Sequence, residues 1–343
     1  MSTEAAVMTP AATNSTFLDS EFRYKLFPAF YSIIFILGFC ANCYVLFVLR
    51  HLREAKAMGE IRIYMTNLTV ADLLFVCALP FWIGYYRRWG DWVYSDVLCR
   101  LTGSMFFINT YCSVLFLGAI SINRYWAVTQ PLNAASSDHR CRGIAVTITI
   151  WALTVAMSIP SLISPGINVD EKNVTRCFEG YHREGDGEKR VVAAIHFTII
   201  AVFFIVFILV VVCNLLTALA SPRGVKRRAL RMLCAVVGVF VLCFLPHHII
   251  QGLWTLAVLE IKEGWGSTDW TLETRQALND AHQITLLLMG LNCILDPVVY
   301  YFATRKFRKF ITSHVKKIAK GDACSQTATS QISLDSRREE LWF

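Results

Sequence analysis

Three ionisable residues stand in or beside long apolar runs, and their chemistry sets what they can do. Asp72 is the only charge in Ile63–Tyr86, Arg124 directly follows the charge-free stretch Leu101–Asn123, and Asp296 interrupts the run from Ala281 to Thr304. A charge at membrane depth costs about 2.5–3.5 kcal/mol on insertion scales, so it faces a bundle interior or a water cavity and marks a function. Asn292 lies four residues before Asp296 and shares its helical face. A second set is polar but uncharged: His196, His247, His248, Gln251, His282 and Gln283. Imidazoles and amides in apolar surroundings point to an occupied polar cavity; hydrogen bonding between helices is the alternative. Zinc is disfavoured, because the adjacent His247 and His248 diverge by about 100° on a helix.

The elements that must hold these residues are legible from hydropathy. The chain is 55% hydrophobic and 17% charged, against roughly 25% charged for soluble domains. Seven stretches reach the length of about 20 apolar residues that a span needs: Phe27–Leu49, Ile63–Tyr86, Leu101–Val128, Gly143–Ile163, Val191–Ala220, Ala229–Leu259 and Ala281–Thr304. Lipid offers no partner to unpaired backbone groups, and no alternating barrel pattern is present, so the spans are helical. The expected fold is an all-α membrane protein. It comprises an N-terminal segment 1–25, a seven-transmembrane bundle 26–304, an amphipathic helix 305–318 and a disordered tail 319–343.

Arg and Lys set the expected orientation. The odd connections are basic (Arg50, Arg53, Lys56 and Arg62; Arg140 and Arg142; Arg223, Lys226, Arg227, Arg228 and Arg231), whereas the even ones mix signs. The N-terminus is therefore expected outside and the C-terminus in the cytoplasm. The net charge of +8 then reflects topology and not a nucleic-acid partner. Met1–Lys25 has no apolar core of a cleavable signal, so the first span directs insertion. The sequons at Asn14 and Asn173 fall on the outer side, where glycosylation occurs. Of 12 cysteines, Cys99 and Cys177 alone lie on that oxidising side and are expected to pair.

The motifs Asn67-Leu68-x-x-Ala71-Asp72, Asn123-Arg124-Tyr125, Cys243-Phe244-Leu245-Pro246 and Asp296-Pro297-Val298-Val299-Tyr300, with Asn42, Cys99 and Trp151, occur in order along the chain. Over its whole length the chain resembles the rhodopsin-like (class A) G-protein-coupled receptors. The resemblance implies coupling to heterotrimeric G proteins at the plasma membrane through Arg124, Tyr125 and Tyr300. It also implies an activation switch around Phe244 and Pro246. Asn42, Asp72, Ser113, Asn292 and Asp296 correspond to the chamber that holds a structural sodium ion in related receptors, with a water-filled network as the alternative. Four departures stand out. Asn123 replaces the usual acid before Arg124, which predicts raised basal activity. Asp296 replaces an Asn, Phe244 replaces a Trp, and the fifth span lacks its proline. Pro80, Pro160 and Pro246 are expected to kink their helices.

Further stretches, Phe106-Phe107-Ile108-Asn109-Thr110-Tyr111 and Asn279-Asp280-Ala281-His282-Gln283 among them, resemble members of that family whose ligand is an ether phospholipid with an acetyl group and a phosphocholine head. The histidine and glutamine set then faces the polar head. Aromatic walls suit its quaternary ammonium; the candidates are Tyr31, Trp82, Tyr86, Phe106, Phe107, Tyr111 and Trp254, all of which serve equally as packing or interface residues. Glu179 is a candidate counter-charge. In the tail, Phe307, Phe310 and Ile311 among basic residues form an amphipathic face for membrane lipids. Cys324 is a palmitoylation candidate, and the Ser/Thr-rich end suits phosphorylation and arrestin recruitment. The alternatives are a receptor for another lipid mediator or a nucleotide, and a transporter. Internal repeats would mark the transporter, and the sequence has none. Enzymatic metal-hydrolase or serine-hydrolase motifs are also missing from it.

Overall fold

Spans that cannot hydrogen-bond to lipid must satisfy their backbone within helices, and the computed structural model of the chain is built accordingly. It describes residues 18–51, 59–130, 139–170, 172–178, 186–259, 270–303, 307–314 and 316. The helices are α1 (Phe22–His51), α2 (Gly59–Arg87), α3 (Asp96–Thr129), α4 (His139–Ile163), α5 (Asp186–Ala220), α6 (Arg223–Val239), α7 (Leu245–Val258), α8 (Leu272–Gly290) and α9 (Asn292–Ala303). Residues 307–314 are helical again. The sixth span joins α6 and α7 through a π turn at Phe240–Phe244, and the seventh joins α8 and α9. α3 is central, packed against α2, α4 and α5.

The first helix begins at Phe22, four residues before the expected start of the bundle. Its first turn is held by Ser20, whose carbonyl accepts from the Arg23 N–H at 3.1 Å. α3 starts at Ser95, whose hydroxyl accepts from the Leu98 N–H at 3.3 Å, and Thr271 does the same for Thr274 at the start of α8.

The prolines stand in different settings. α2 and α4 run on through Pro80 and Pro160 as single helices. Pro246 has no N–H to give the Leu242 carbonyl and its ring crowds it; the chain responds one turn earlier with the π turn, where the Leu245 N–H reaches back to Phe240 O. A bend of 41° lies in the seventh span between Gly290 and Asn292. Pro297, further on within α9, leaves the Cys293 carbonyl without its helical donor. Asn42 Nδ2 supplies one at 2.8 Å.

The connection after α4 carries a two-stranded antiparallel hairpin, β1 (Ile167–Val169) with β2 (Thr175–Cys177), which hydropathy did not anticipate. Cys177 is joined to Cys99 at the head of α3, as expected. Asn173 is exposed at the tip of this hairpin with a φ of 61°, a conformation Asn tolerates. Asn14, Glu179 and Cys324 lie outside the described residues. Of the expected helix 305–318, the described part holds Phe307 buried against the bundle, with Phe310 and Ile311 packed beside it.

Candidate ligand pocket and polar core

The buried carboxylates are where apolar burial predicts the highest cost, and the structure supplies them with few partners. Asp72 and Asp296 are both wholly buried, as are Asn42, Ser113 and Asn292. Asp72 Oδ1 accepts from Asn109 Nδ2 at 2.8 Å, and Asn292 Nδ2 donates to Ser113 Oγ at 2.8 Å. Asn42 turns its amide NH2 to main-chain carbonyls, of Gly38 at 2.9 Å and of Cys293. Asp72 Oδ2, both Asp296 oxygens and the side-chain oxygens of Asn42 and Asn292 are buried with no hydrogen-bond partner among the described residues. Orphaned oxygens from two carboxylates and two amides form a donor set that fits a hard cation. Among the described residues no group of three or more His, Cys, Asp or Glu side chains is arranged to hold a metal, so any such ion relies on the amide oxygens as well.

The histidine set lies on α5, α7 and α8 and divides into two kinds. His248 Nδ1 lies 2.8 Å from the Phe244 carbonyl, so it carries the proton, and Nε2 accepts from Tyr111 Oη at 3.0 Å. Its ring stacks on Phe203 at 3.7 Å. With both nitrogens engaged, His248 links α3, α5 and α7. It also connects directly to Phe244, the buried residue ending the π turn.

His247, His282 and Gln251 form the second kind. The imidazoles of His247 and His282 have centroids 4.9 Å apart. His282 Nε2 meets Gln251 Oε1 at 2.6 Å, His247 Nδ1 meets Thr285 Oγ1 at 3.2 Å, and His196 Nδ1 meets Thr255 Oγ1 at 2.9 Å. His282 Nδ1 is buried with no hydrogen-bond partner among the described residues. Gln283 is buried one position further along α8. The opposite face of His282 stacks on Trp254 at 4.2 Å and 12°.

The aromatic candidates do not form one cage. Tyr31 and Trp82 flank Tyr86 at 6.1 and 6.3 Å, with Phe27 edge-on to Tyr86 at 4.7 Å. This cluster joins α1 to α2. Phe106 abuts Phe75 at 5.2 Å, and Phe107 abuts Tyr111 at 4.5 Å. Trp254 stands apart, beside His282. Trp82 Nε1 is buried without a hydrogen-bond partner among the described residues.

At the other end of the bundle Arg124 and Tyr125 are half-buried on α3. Tyr300 is fully buried and edge-on to Phe307 at 6.4 Å. Asn123 donates to the Glu60 carboxylate, which also pairs with Arg142 at 2.5 Å. The acid missing before Arg124 thus has a counterpart on α2 that binds Asn123 itself. Glu60 and Asn109 were both missed as site residues. Asn109 had a usable signal, since it precedes Ser113 by four residues on the same face of α3.

Residues 41–300 match the model of the 7 transmembrane receptor (rhodopsin family). The chain is 47% identical to the platelet-activating factor receptor of Cavia porcellus, over 92% of this chain and 93% of that protein. It is 45% identical to the platelet-activating factor receptor of Homo sapiens, over 93% and 94%. The cysteinyl leukotriene receptor 1 of Cavia porcellus is 32% identical over 89% of each. With the seven spans, the Cys99–Cys177 bridge and the buried aspartates in place, the chain belongs to the rhodopsin family of seven-transmembrane receptors.

Proposed function

We propose that the chain is a plasma-membrane receptor for platelet-activating factor that passes ligand binding to heterotrimeric G proteins. The observation that carries this reading is the 45–47% identity to receptors of that name over more than nine-tenths of the chain. The pocket chemistry agrees. A phosphate oxygen fits at the unpartnered His282 Nδ1 when the ring is protonated, or when Gln251 turns its amide so that the neutral ring carries its proton on Nδ1. His247, His196 and Gln283 complete the polar side, and Phe106, Phe107, Trp82 and Tyr31 lie toward the apolar chains and the choline. The basic connections support an outer N-terminus and cytoplasmic C-terminus, with Arg124 and Tyr125 toward the G protein, Tyr300 released from burial on activation, and arrestin engaging the tail once it is phosphorylated. Glycans at Asn14 and Asn173 and an acyl chain on Cys324 belong to the same reading.

Sodium fits the orphaned oxygens of Asp72, Asp296, Asn42 and Asn292, and would supply there a positive charge that two buried carboxylates otherwise lack. The test of the ligand is intracellular calcium in cells expressing the chain, challenged with platelet-activating factor or its deacetylated lyso form. A response to the acetylated lipid alone, lost in His247→Ala and His282→Ala, is the expected result. Silence to both lipids at confirmed surface expression would return the ligand to another lipid mediator, the class to which the leukotriene receptor relative points.

A further inference from the structure

N-terminal segments fray unless tied down, and Leu18–Ser20 is tied at both ends. Leu18 is 8% exposed and packs against Trp254 and Val258 at the outer end of α7. Its carbonyl accepts from Asn279 Nδ2 at 3.2 Å, and Asn279 Oδ1 accepts from Trp254 Nε1 at 3.2 Å. Gln276 Nε2 donates to Asp19 O and to Ser20 Oγ, both at 2.9 Å, while the Ser20 hydroxyl bonds to Asp280. On the other side the Asp19 carboxylate accepts from Arg23 at 3.0 Å and Tyr24 Oη at 2.7 Å, and lies 4.0 Å from Arg176. Arg176 neighbours the disulfide-linked Cys177 and is anchored to Asp170. The segment therefore bridges the hairpin and α1 to the outer ends of α7 and α8.

One of those ties leads straight to the pocket. Leu18 holds Asn279, Asn279 holds the Trp254 indole, and that indole lies flat on His282. We propose that Leu18–Ser20 is a strap that positions Trp254 and His282, and so sets how long the phospholipid stays bound. Leu18 and Asn279 are positioning residues that do not touch the ligand. The inference rests on the ligand proposed above.

The experiment measures dissociation of radiolabelled platelet-activating factor from membranes carrying wild type, Gln276→Ala, Leu18→Ala and Leu18→Met. Among the described residues Gln276 bonds to the strap and to Asp280, so its loss spares the pocket lining. Loss of one such tie, about 1 kcal/mol, corresponds to roughly fivefold faster dissociation. That acceleration is expected in Gln276→Ala and Leu18→Ala at unchanged surface expression, with Leu18→Met near wild type because its apolar contact survives. Wild-type rates in both alanine variants would overturn the proposal. So would failure of both to reach the surface, which would assign the strap to holding the bundle. No specific binding by wild type would instead sink the ligand assignment, and the strap's part in it with it.

Discussion

Asn42 donates to the main-chain carbonyl of Cys293 over 2.8 Å, the carbonyl that Pro297 leaves without a helical donor. A side chain on α1 thereby completes the backbone of α9 at a position where both residues are wholly buried. Asn42→Leu would leave that carbonyl buried and unpaired, at about 1–3 kcal/mol. The expected outcome is a lower unfolding temperature of the detergent-solubilised receptor. An unchanged melting curve would mean the carbonyl finds another donor.

Asn109 is the hydrogen-bond donor seen on Asp72. Asn109→Ala removes it and leaves a carboxyl buried between α2 and α3, so the variant should shift basal signalling and lose about 1–3 kcal/mol of stability. Second-messenger levels without ligand, normalised to surface expression, provide the check. Sodium gives a companion readout: agonist affinity in wild type should change with sodium at constant ionic strength, and Asp72→Asn should abolish the dependence. A sodium-insensitive wild type would leave the orphaned oxygens to water.

Near the C-terminal end of α3, Asn123 cannot simply be replaced by an acid. Its amide donates to Glu60, and Asn123→Asp would bring two carboxylates together at a cost of up to about 4 kcal/mol at ~4 Å and an effective dielectric near 20. Surface expression of Asn123→Asp should therefore fall and recover in the double variant with Glu60→Gln. Additive effects of the two changes would show that the pair is not coupled. Basal activity, expected above mock-transfected cells because Arg124 follows an Asn, is measured in the same cells.

The outer hairpin should be acid-labile. Burial raises the Asp170 carboxyl, but the Val174 N–H, Arg176 and the Lys172 N–H outweigh it and hold the group below its ordinary 3.8. A carboxyl depressed in the folded state stabilises fully above the unfolded value and loses that contribution as pH falls through the folded value. The loss thus lies below 3.8. Thermal unfolding followed as pH is lowered should steepen in that range for wild type. Asp170→Asn should be less stable at neutral pH and flatter in acid; parallel curves would count against the Asp170–Arg176 pair.

How much of this was readable in the sequence depended on the kind of signal. Asp72, Asn292 and Asp296 were legible because polarity inside an apolar run is costly wherever the chain goes, Ser113 only through the family resemblance, and Cys99 and Cys177 because only they fall on the side expected to be oxidising. Glu60 was not, since it sits at the end of a span among other charges and its partner Asn123 is 63 residues away. The tie from His248 to Tyr111 and Phe244 was not legible either, because composition gives residue type but not which ring nitrogens are taken. The π turn before Pro246 and the 41° bend between Gly290 and Asn292 were not legible, since the sequence reading found no local pattern that marks either.

That bend separates two levers on one joint. α8 carries His282 and Gln283, and α9 carries Asp296 and Tyr300, and the two helices meet at 41°. Because the helical hydrogen-bond ladder is interrupted between them, a shift of the arm that bears His282 need not be transmitted rigidly to the other. The pivot beside Asn292 can convert a small displacement of that arm into a change of angle of the arm that holds Tyr300.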